Sequence, residues 1–161
     1  MSLLTLALAA ALAGADEPTY AVVVELDNVC GRDCVALLEK ELRKIDGVKS
    51  AEMYGDKFHF RLEVLETKSL LPAAVLAVTD RIRKDSKGEE DFPLLSFEVT
   101  VAGHVEKQGD AQVFTAKGSG QKFALKSARP LQEKSTLTLT GRVSAEKGLP
   151  LPLLEVVETP K

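Results

Sequence analysis

The chain has 161 residues, which is long enough for one ordinary domain or two small ones. Apolar residues make up 45% and charged residues 28% of it, a composition typical of globular proteins and not of disordered tails. With a net charge of −3 and an aromatic content of 5%, the chain has neither a positive field for phosphates nor many rings for bases, so nucleic acid is not an expected partner.

An export signal is predicted at the N-terminus. Leu3–Ala15 is a run of small or apolar residues that ends in Ala13-Gly14-Ala15, the A-x-A pattern that signal peptidases accept. The run is shorter than the roughly 20 residues of a membrane span, and no later stretch is long and apolar enough for one. We therefore expect a signal peptide over 1–15 and a periplasmic or secreted protein without a membrane span.

A strand and a helix are predicted directly after the signal. Apolar side chains alternate over Tyr20–Leu26, which predicts a strand. Asp33 is a suitable N-cap for the helix that follows, and Asp46-Gly47 would end it. The apolar stripe of this helix comprises Cys34, Leu37, Leu38, Leu42 and Ile45.

A hairpin and a second helix come next. Val48–Tyr54 and the alternating run Phe58–Val64 predict two strands, joined by a tight turn at Gly55-Asp56. Pro72 opens a second amphipathic stretch, which predicts another helix. The highly charged stretch Lys84–Asp91 is typical of a solvated connection.

The second half is predicted to be all β. A long alternating run begins at Phe92, and four further strand patterns follow, separated by glycine and proline. Gly103 and Gly141 lie in the middle of two matching strand patterns, where a glycine usually marks a bulge or a bend. Two bent strands among five favour a small closed barrel over the alternative, a small open sandwich.

Together these elements predict an α+β fold with two consecutive domains. The order strand, helix, strand, strand, helix, strand is the ferredoxin-like βαββαβ arrangement, which would occupy 16–97. A small all-β, OB-like barrel would follow over 98–161. We expect the boundary to fall inside the long strand, whose two halves would serve the two domains.

The segment Asn28-Val29-Cys30-Gly31-Arg32-Asp33-Cys34 and the later turn Asp46-Gly47-Val48 carry a resemblance to a known family. They resemble the heavy-metal-associated domain of soft-metal chaperones and transport ATPases. That family has Met-x-Cys-x-x-Cys in this loop, and its second Cys opens helix one. Cys34 matches the second Cys, whereas Cys30 lies one place before the first, and Val29 stands in place of the Met.

The resemblance implies that Cys30 and Cys34 bind a soft ion such as Cu(I) between two thiolates. The positive end of the helix dipole and the nearby Arg32 would favour the thiolate of Cys34. Two alternatives remain open. The cysteines can form a local disulfide, because exported proteins meet an oxidising compartment, or they can be an inert buried pair, because Cys34 lies on the apolar stripe.

Other polar residues are interpreted as solvated surface. His59 lies between two phenylalanines on the polar side of its strand, and His104 is out of phase with the apolar side of its own. A structural zinc site takes about four ligands, and these two imidazoles fall in different predicted domains, which disfavours zinc. Glu39 and Arg43 lie one helical turn apart on the exposed side of helix one.

Three hypotheses of function follow. The first is an exported soft-metal (copper) binding or delivery protein that uses Cys30 and Cys34 and passes the ion to a protein partner. The second is a metal-free envelope binding or interaction protein, with the ferredoxin-like half as scaffold and the ligand on the barrel. Thiol redox chemistry is a third, less favoured because the Cys-x-x-Cys spacing is absent. No catalytic triad, phosphate loop or paired carboxylates are recognisable, so we do not expect an enzyme.

The signal peptide gives the first testable prediction. We expect exported protein to begin at Asp16, because Ala13-Gly14-Ala15 is the A-x-A site at the end of the apolar run. N-terminal mass spectrometry of the exported fraction checks this. Recovery of chains that still carry Met1 from that fraction would contradict it.

Overall fold

A computed structural model describes residues 17–55, 58–133, 135–144 and 150–158. The predicted signal peptide over 1–15 and Asp56 of the predicted hairpin turn lie outside these residues. In chain order, the elements of the described chain are β1 (Thr19–Leu26), α1 (Arg32–Leu42), β2 (Val48–Tyr54), β3 (His59–Leu65), α2 (Pro72–Asp85), β4 (Leu94–Gln108), β5 (Ala111–Ala116), β6 (Lys122–Lys126), β7 (Thr136–Ser144) and β8 (Leu153–Glu158).

The strands that the structure describes all belong to one sheet. Its order is β2-β3-β1-β4-β5-β6-β8-β7, and a further pairing of β4 with β7 closes the last five strands into a barrel. Within the barrel, β6 and β8 run parallel, whereas the other neighbouring strands run antiparallel. The sheet is therefore open on the β2 side and closed on the other.

Strand β4 connects the open part of the sheet with the barrel. It is 15 residues long, and it pairs with β1 up to Thr100 and with β5 from Gly103 onward. Residues Glu98–His104 also pair with β7. Of these, Glu98–Thr100 pair with β1 as well, and Gly103 and His104 pair with β5 as well. One edge of β4 thus carries β1 and then β5, while the other edge carries β7.

The predicted fold class is wrong. We expected an α+β chain with a ferredoxin-like βαββαβ domain and then a separate OB-like barrel. Instead, the described chain is mostly β, with two helices and a single large sheet that includes a closed five-stranded barrel. The alternation of apolar residues identifies strands, but it carries no information about which strands pair, and the continuous pairing of β4 makes the barrel part of the same sheet.

A single hydrophobic core extends through the open sheet and the barrel. Alternating positions of β1 and β4 point into it, as the period of two in a strand requires. Its largest fully buried side chains come from both halves of the chain: Phe60, Phe92, Phe114, Leu26, Leu38, Leu42, Leu62, Leu70, Leu139 and Leu154. The two halves therefore share the burial that stabilises them.

Backbone groups of the β3–α2 connection pack against the first strand and against the barrel. The hydroxyl of Tyr20 accepts a hydrogen bond from the Leu70 amide at 2.8 Å and donates one to the Lys68 carbonyl at 3.2 Å. Burial raises the pKa of Tyr20, although the Leu70 amide opposes this, so the phenol stays protonated and can donate. At Gly118, in the β5–β6 turn, a Cβ would lie 2.5 Å from the Glu66 carbonyl oxygen.

The contact at Gly118 gives a prediction with a matched control in the same turn. Gly118 and Gly120 both have positive φ, +81° and +69°, so alanine is strained at either position. Only at Gly118 does the added Cβ also meet Glu66, so Gly118→Ala should lower the free energy of unfolding by about 1–3 kcal/mol more than Gly120→Ala. Urea unfolding measures both values. Equal losses would show that the turn does not pack against the β3–α2 connection.

Candidate functional site: the cystine at the start of helix α1

The two predicted metal ligands meet at the start of α1. Cys30 and Cys34 form a disulfide with their Cα atoms 5.7 Å apart. Cys34 lies in the first turn of α1 and is 3% exposed, whereas Cys30 lies in the preceding loop and is exposed. The Cys-x-x-x-Cys spacing therefore does not keep the two sulfur atoms apart.

The loop before α1 reaches this shape through two unusual backbone conformations. Asn28 has a φ of 60°, which Asn tolerates better than most residues. Gly31, the N-cap of α1, has φ 133° and ψ −156°, a region that only glycine occupies readily. Asp33, the predicted N-cap, instead lies within the first turn. Gly31 thus lets the chain turn sharply between the two cysteines.

The same loop is attached firmly to the body of the protein. The side chain of Val29 is 6% exposed and belongs to the hydrophobic core. The amide of Asp27 donates a hydrogen bond to the Pro93 carbonyl at 3.0 Å, just before β4 begins. Burial of Val29 leaves the next residue, Cys30, at the surface. Val29, at the position where the heavy-metal-associated domain has its Met, therefore packs in the core.

An open, mostly apolar groove of about 410 Å³ lies beside the cystine. Two of its apolar side chains are well exposed, Met53 at the end of β2 and Phe58 just before β3. The residues that line the groove are Gly31, Arg32, Val35, Ala36, Glu39, Met53 and Phe58. The groove thus includes the residues that follow each cysteine in the chain, Gly31 and Val35, and favours contact with apolar groups.

The metal chemistry available at this place is limited to the two sulfur atoms. Within the described residues, no three His, Cys, Asp or Glu side chains cluster as metal ligands. His59 of β3 lies 3.6 Å from a carboxylate oxygen of Glu25 on the neighbouring strand β1. His104 of β4 lies 3.4 Å from a carboxylate oxygen of Glu106 on the same strand. The structure brings Cys30 and Cys34 together and neither histidine with them.

Glu39 and Arg43 have a role that sequence reasoning missed. The guanidinium of Arg43 donates to the Ala51 carbonyl at 3.1 and 3.3 Å, and a carboxylate oxygen of Glu39 accepts from the Met53 amide at 2.9 Å. These backbone groups belong to the edge strand β2, so the two side chains occupy positions where another strand would pair. The sequence shows the opposite charges of Glu39 and Arg43 at i and i+4, but only the fold shows that both side chains bond to β2.

Glu41 joins α2 to α1, the helix that begins at the cystine. It is 9% exposed, and its carboxylate accepts hydrogen bonds from Lys44 at 2.6 Å and from Arg81 of α2 at 2.8 Å. The hydrogen bond from Lys44, helped by the positive charges of Lys44 and Arg81, lowers the pKa of Glu41 despite its burial. The carboxylate is therefore ionised at neutral pH and bridges the helices.

Compared with known proteins, the chain matches no family model and no curated protein sequence. The resemblance of the Cys30–Cys34 loop to the heavy-metal-associated domain stays a prediction. In the part of the chain that the structure describes, neither helix has the length and apolar character needed to cross a bilayer.

The lowered pKa of Glu41 predicts how stability depends on pH. Because the folded-state pKa lies below the ordinary value of 4.5, the stabilisation by the carboxylate is complete above that pH and is lost as the pH falls through the folded-state value. Glu41→Gln should therefore lower the free energy of unfolding at pH 7, and the difference from wild type should shrink in acid. Urea unfolding at a series of pH values measures this difference.

Asp80→Asn is a suitable control for the Glu41 experiment. Asp80 forms an exposed i, i+3 pair with Arg83 at 3.3 Å, and such surface pairs contribute little to stability. This variant should unfold like wild type throughout. If the Glu41→Gln difference were unchanged in acid, the lost stability would not come from the charge of Glu41.

Proposed function

We propose that the chain is an exported soft-metal binding protein that holds Cu(I) between the thiolates of Cys30 and Cys34 and delivers it to a protein partner. The observation that carries this proposal is the meeting of the two cysteines at the start of α1, on a loop whose turn depends on Gly31. Soft thiolate ligands select Cu(I) over harder divalent ions. The resemblance to the heavy-metal-associated domain supports the same choice.

Binding requires the reduced pair, because the sulfur atoms of a disulfide are not thiolates. After reduction, Cys34 would remain in the first helical turn, where backbone amides without helical partners and the helix dipole favour an anionic sulfur. Cys30, on the exposed loop, is the ligand that a partner can reach. An ion with two sulfur ligands from this chain leaves room for a partner's ligand, which is what delivery by ligand exchange needs.

A second candidate is a metal-free envelope binding or interaction protein whose ligand binds to the barrel. The disulfide favours it, because Cys30 and Cys34 are joined in the form that takes no metal. The barrel also has an open groove of about 340 Å³ between the β4–β5 turn and the β6–β7 connection. Gln112 supports this groove through two hydrogen bonds with the backbone of Leu131, at 2.8 and 3.0 Å.

Titration with Cu(I) against a competing chelator tests the proposal. The fully reduced chain should bind one ion, and either Cys30→Ser or Cys34→Ser should weaken binding by more than the roughly 10–100-fold that loss of an outer-shell partner costs. The reason is that one remaining thiolate cannot complete a two-sulfur site.

Oxidised wild type is the matched control for this titration, because it has the same chain with both sulfur atoms blocked. Thiols are counted before each titration, and circular dichroism shows whether the Cys34→Ser chain is folded. Equal, weak binding by the reduced wild type and both variants would overturn the metal proposal and leave the barrel as the binding element.

A further inference from the structure

We propose that the Cys30–Cys34 disulfide oxidises a dithiol partner segment whose cysteine is flanked by apolar side chains that bind in the adjacent groove. This activity belongs to the oxidised chain, whereas the proposed metal binding belongs to the reduced chain, so neither proposal depends on the other. The reaction is stoichiometric: one dithiol is oxidised for each disulfide that the chain carries.

The two sulfur atoms differ in accessibility, which determines where a thiolate attacks. Cys34 is 3% exposed and packs in the core, while Cys30 is exposed on the loop. Thiol–disulfide exchange requires direct approach of a thiolate to one sulfur of the bond, so access selects between them. The incoming thiolate therefore reacts at Cys30.

The groove beside Cys30 specifies what accompanies the thiolate. Its volume of about 410 Å³ is within the range of sites that bind small ligands, and Val35, Ala36, Met53 and Phe58 make its lining mostly apolar. Apolar side chains next to the partner's cysteine would bury surface there. A partner thiol in a polar context would gain no such contact.

The charges at the groove are complementary to an approaching thiolate. The carboxylate of Glu39 is 3.6 Å from the guanidinium of Arg43 and accepts a hydrogen bond from the Met53 amide. Its negative charge is therefore paired within this chain. Arg32 lines the groove, and its guanidinium forms no ion pair or hydrogen bond with any residue that the structure describes. Its positive charge would attract the anionic sulfur.

The exchange proceeds in two balanced steps. The partner's thiolate forms a bond to Cys30 Sγ, and the Cys30–Cys34 bond breaks with its electron pair leaving on Cys34 Sγ, in the first turn of α1 where an anion is stabilised. A second thiolate of the partner then attacks the partner's own sulfur in the mixed disulfide and releases Cys30. The partner loses two electrons and two protons, which reduce Cys30 and Cys34 to thiols.

Two capped pentapeptides, Ala-Leu-Cys-Leu-Ala and Ala-Ser-Cys-Ser-Ala, test the role of the groove. Each is added in excess to the oxidised full chain, and the rate at which the Cys30–Cys34 bond opens is divided by the thiolate concentration. The leucine peptide should react about tenfold faster than the serine peptide, because its side chains bury apolar surface in the groove. Equal rates with the wild-type chain would overturn the proposal.

Variants of exposed residues show whether the preference arises at the groove. Met53→Ser with Phe58→Ser should bring the ratio of the two rates close to one, since both side chains line the groove and are 46% and 42% exposed. Leu76→Ser with Val157→Ser replaces two similarly exposed apolar residues that do not line it, and should keep the wild-type ratio. Loss of the preference in both double variants, or in neither, would contradict binding at the groove.

Mass spectrometry locates the attacked sulfur and the products. After an acid quench, the leucine peptide should be found attached to Cys30 and not to Cys34. With a third peptide, Ala-Leu-Cys-Gly-Cys-Leu-Ala, each chain should yield one peptide disulfide and two protein thiols. Attachment to Cys34, or opening of the Cys30–Cys34 bond without formation of the peptide disulfide, would overturn the proposed sequence of steps.

Discussion

Strand β4 must satisfy backbone hydrogen bonds along both of its edges, and the rest of the fold is arranged around this requirement. One edge of β4 pairs with β1 up to Thr100 and with β5 from Gly103 onward. The opposite edge pairs with β7 on both sides of this change of partner. Val101 and Ala102 lie between the two sets of partners, and the Ala102 carbonyl accepts from the Lys117 amide at 2.8 Å. The β5–β6 turn thus satisfies a backbone carbonyl of β4 where its partner strand changes. The same turn packs against the β3–α2 connection through Gly118.

The cystine lies at the start of α1, a helix that contacts β2 and α2. Three side chains at the C-terminal end of α1 make polar contacts to neighbouring elements: Glu41 reaches α2, while Glu39 and the C-cap residue Arg43 reach the edge strand β2. These contacts hold the helix against its neighbours, and Glu39, Val35 and Met53 all line the groove. Glu39, which protects a sheet edge, thereby also lines the groove next to the disulfide.

The two proposed activities use one pair of sulfur atoms, and the redox state of the pair separates them. Opening the disulfide converts an electrophilic bond into two thiols, so the proposed exchange would produce the form that the proposed Cu(I) binding requires. Burial of Cys34 and exposure of Cys30 suit both states, because each activity needs one supported sulfur and one accessible sulfur. One geometry would therefore serve both proposed chemistries.

The sequence by itself determined the positions of the helices and strands, the cysteine pair and the loop that carries it, because alternation, apolar stripes, glycines and prolines are local signals. Only the tertiary structure decided which strands pair, since the pairing of β4 with β7 joins residues about 40 positions apart, as in Thr100 with Thr140. The groove likewise combines α1 with Met53 and Phe58 from the β2–β3 hairpin. Contacts between distant segments depend on which edges and faces remain available after the other elements have packed, and no local pattern records that choice.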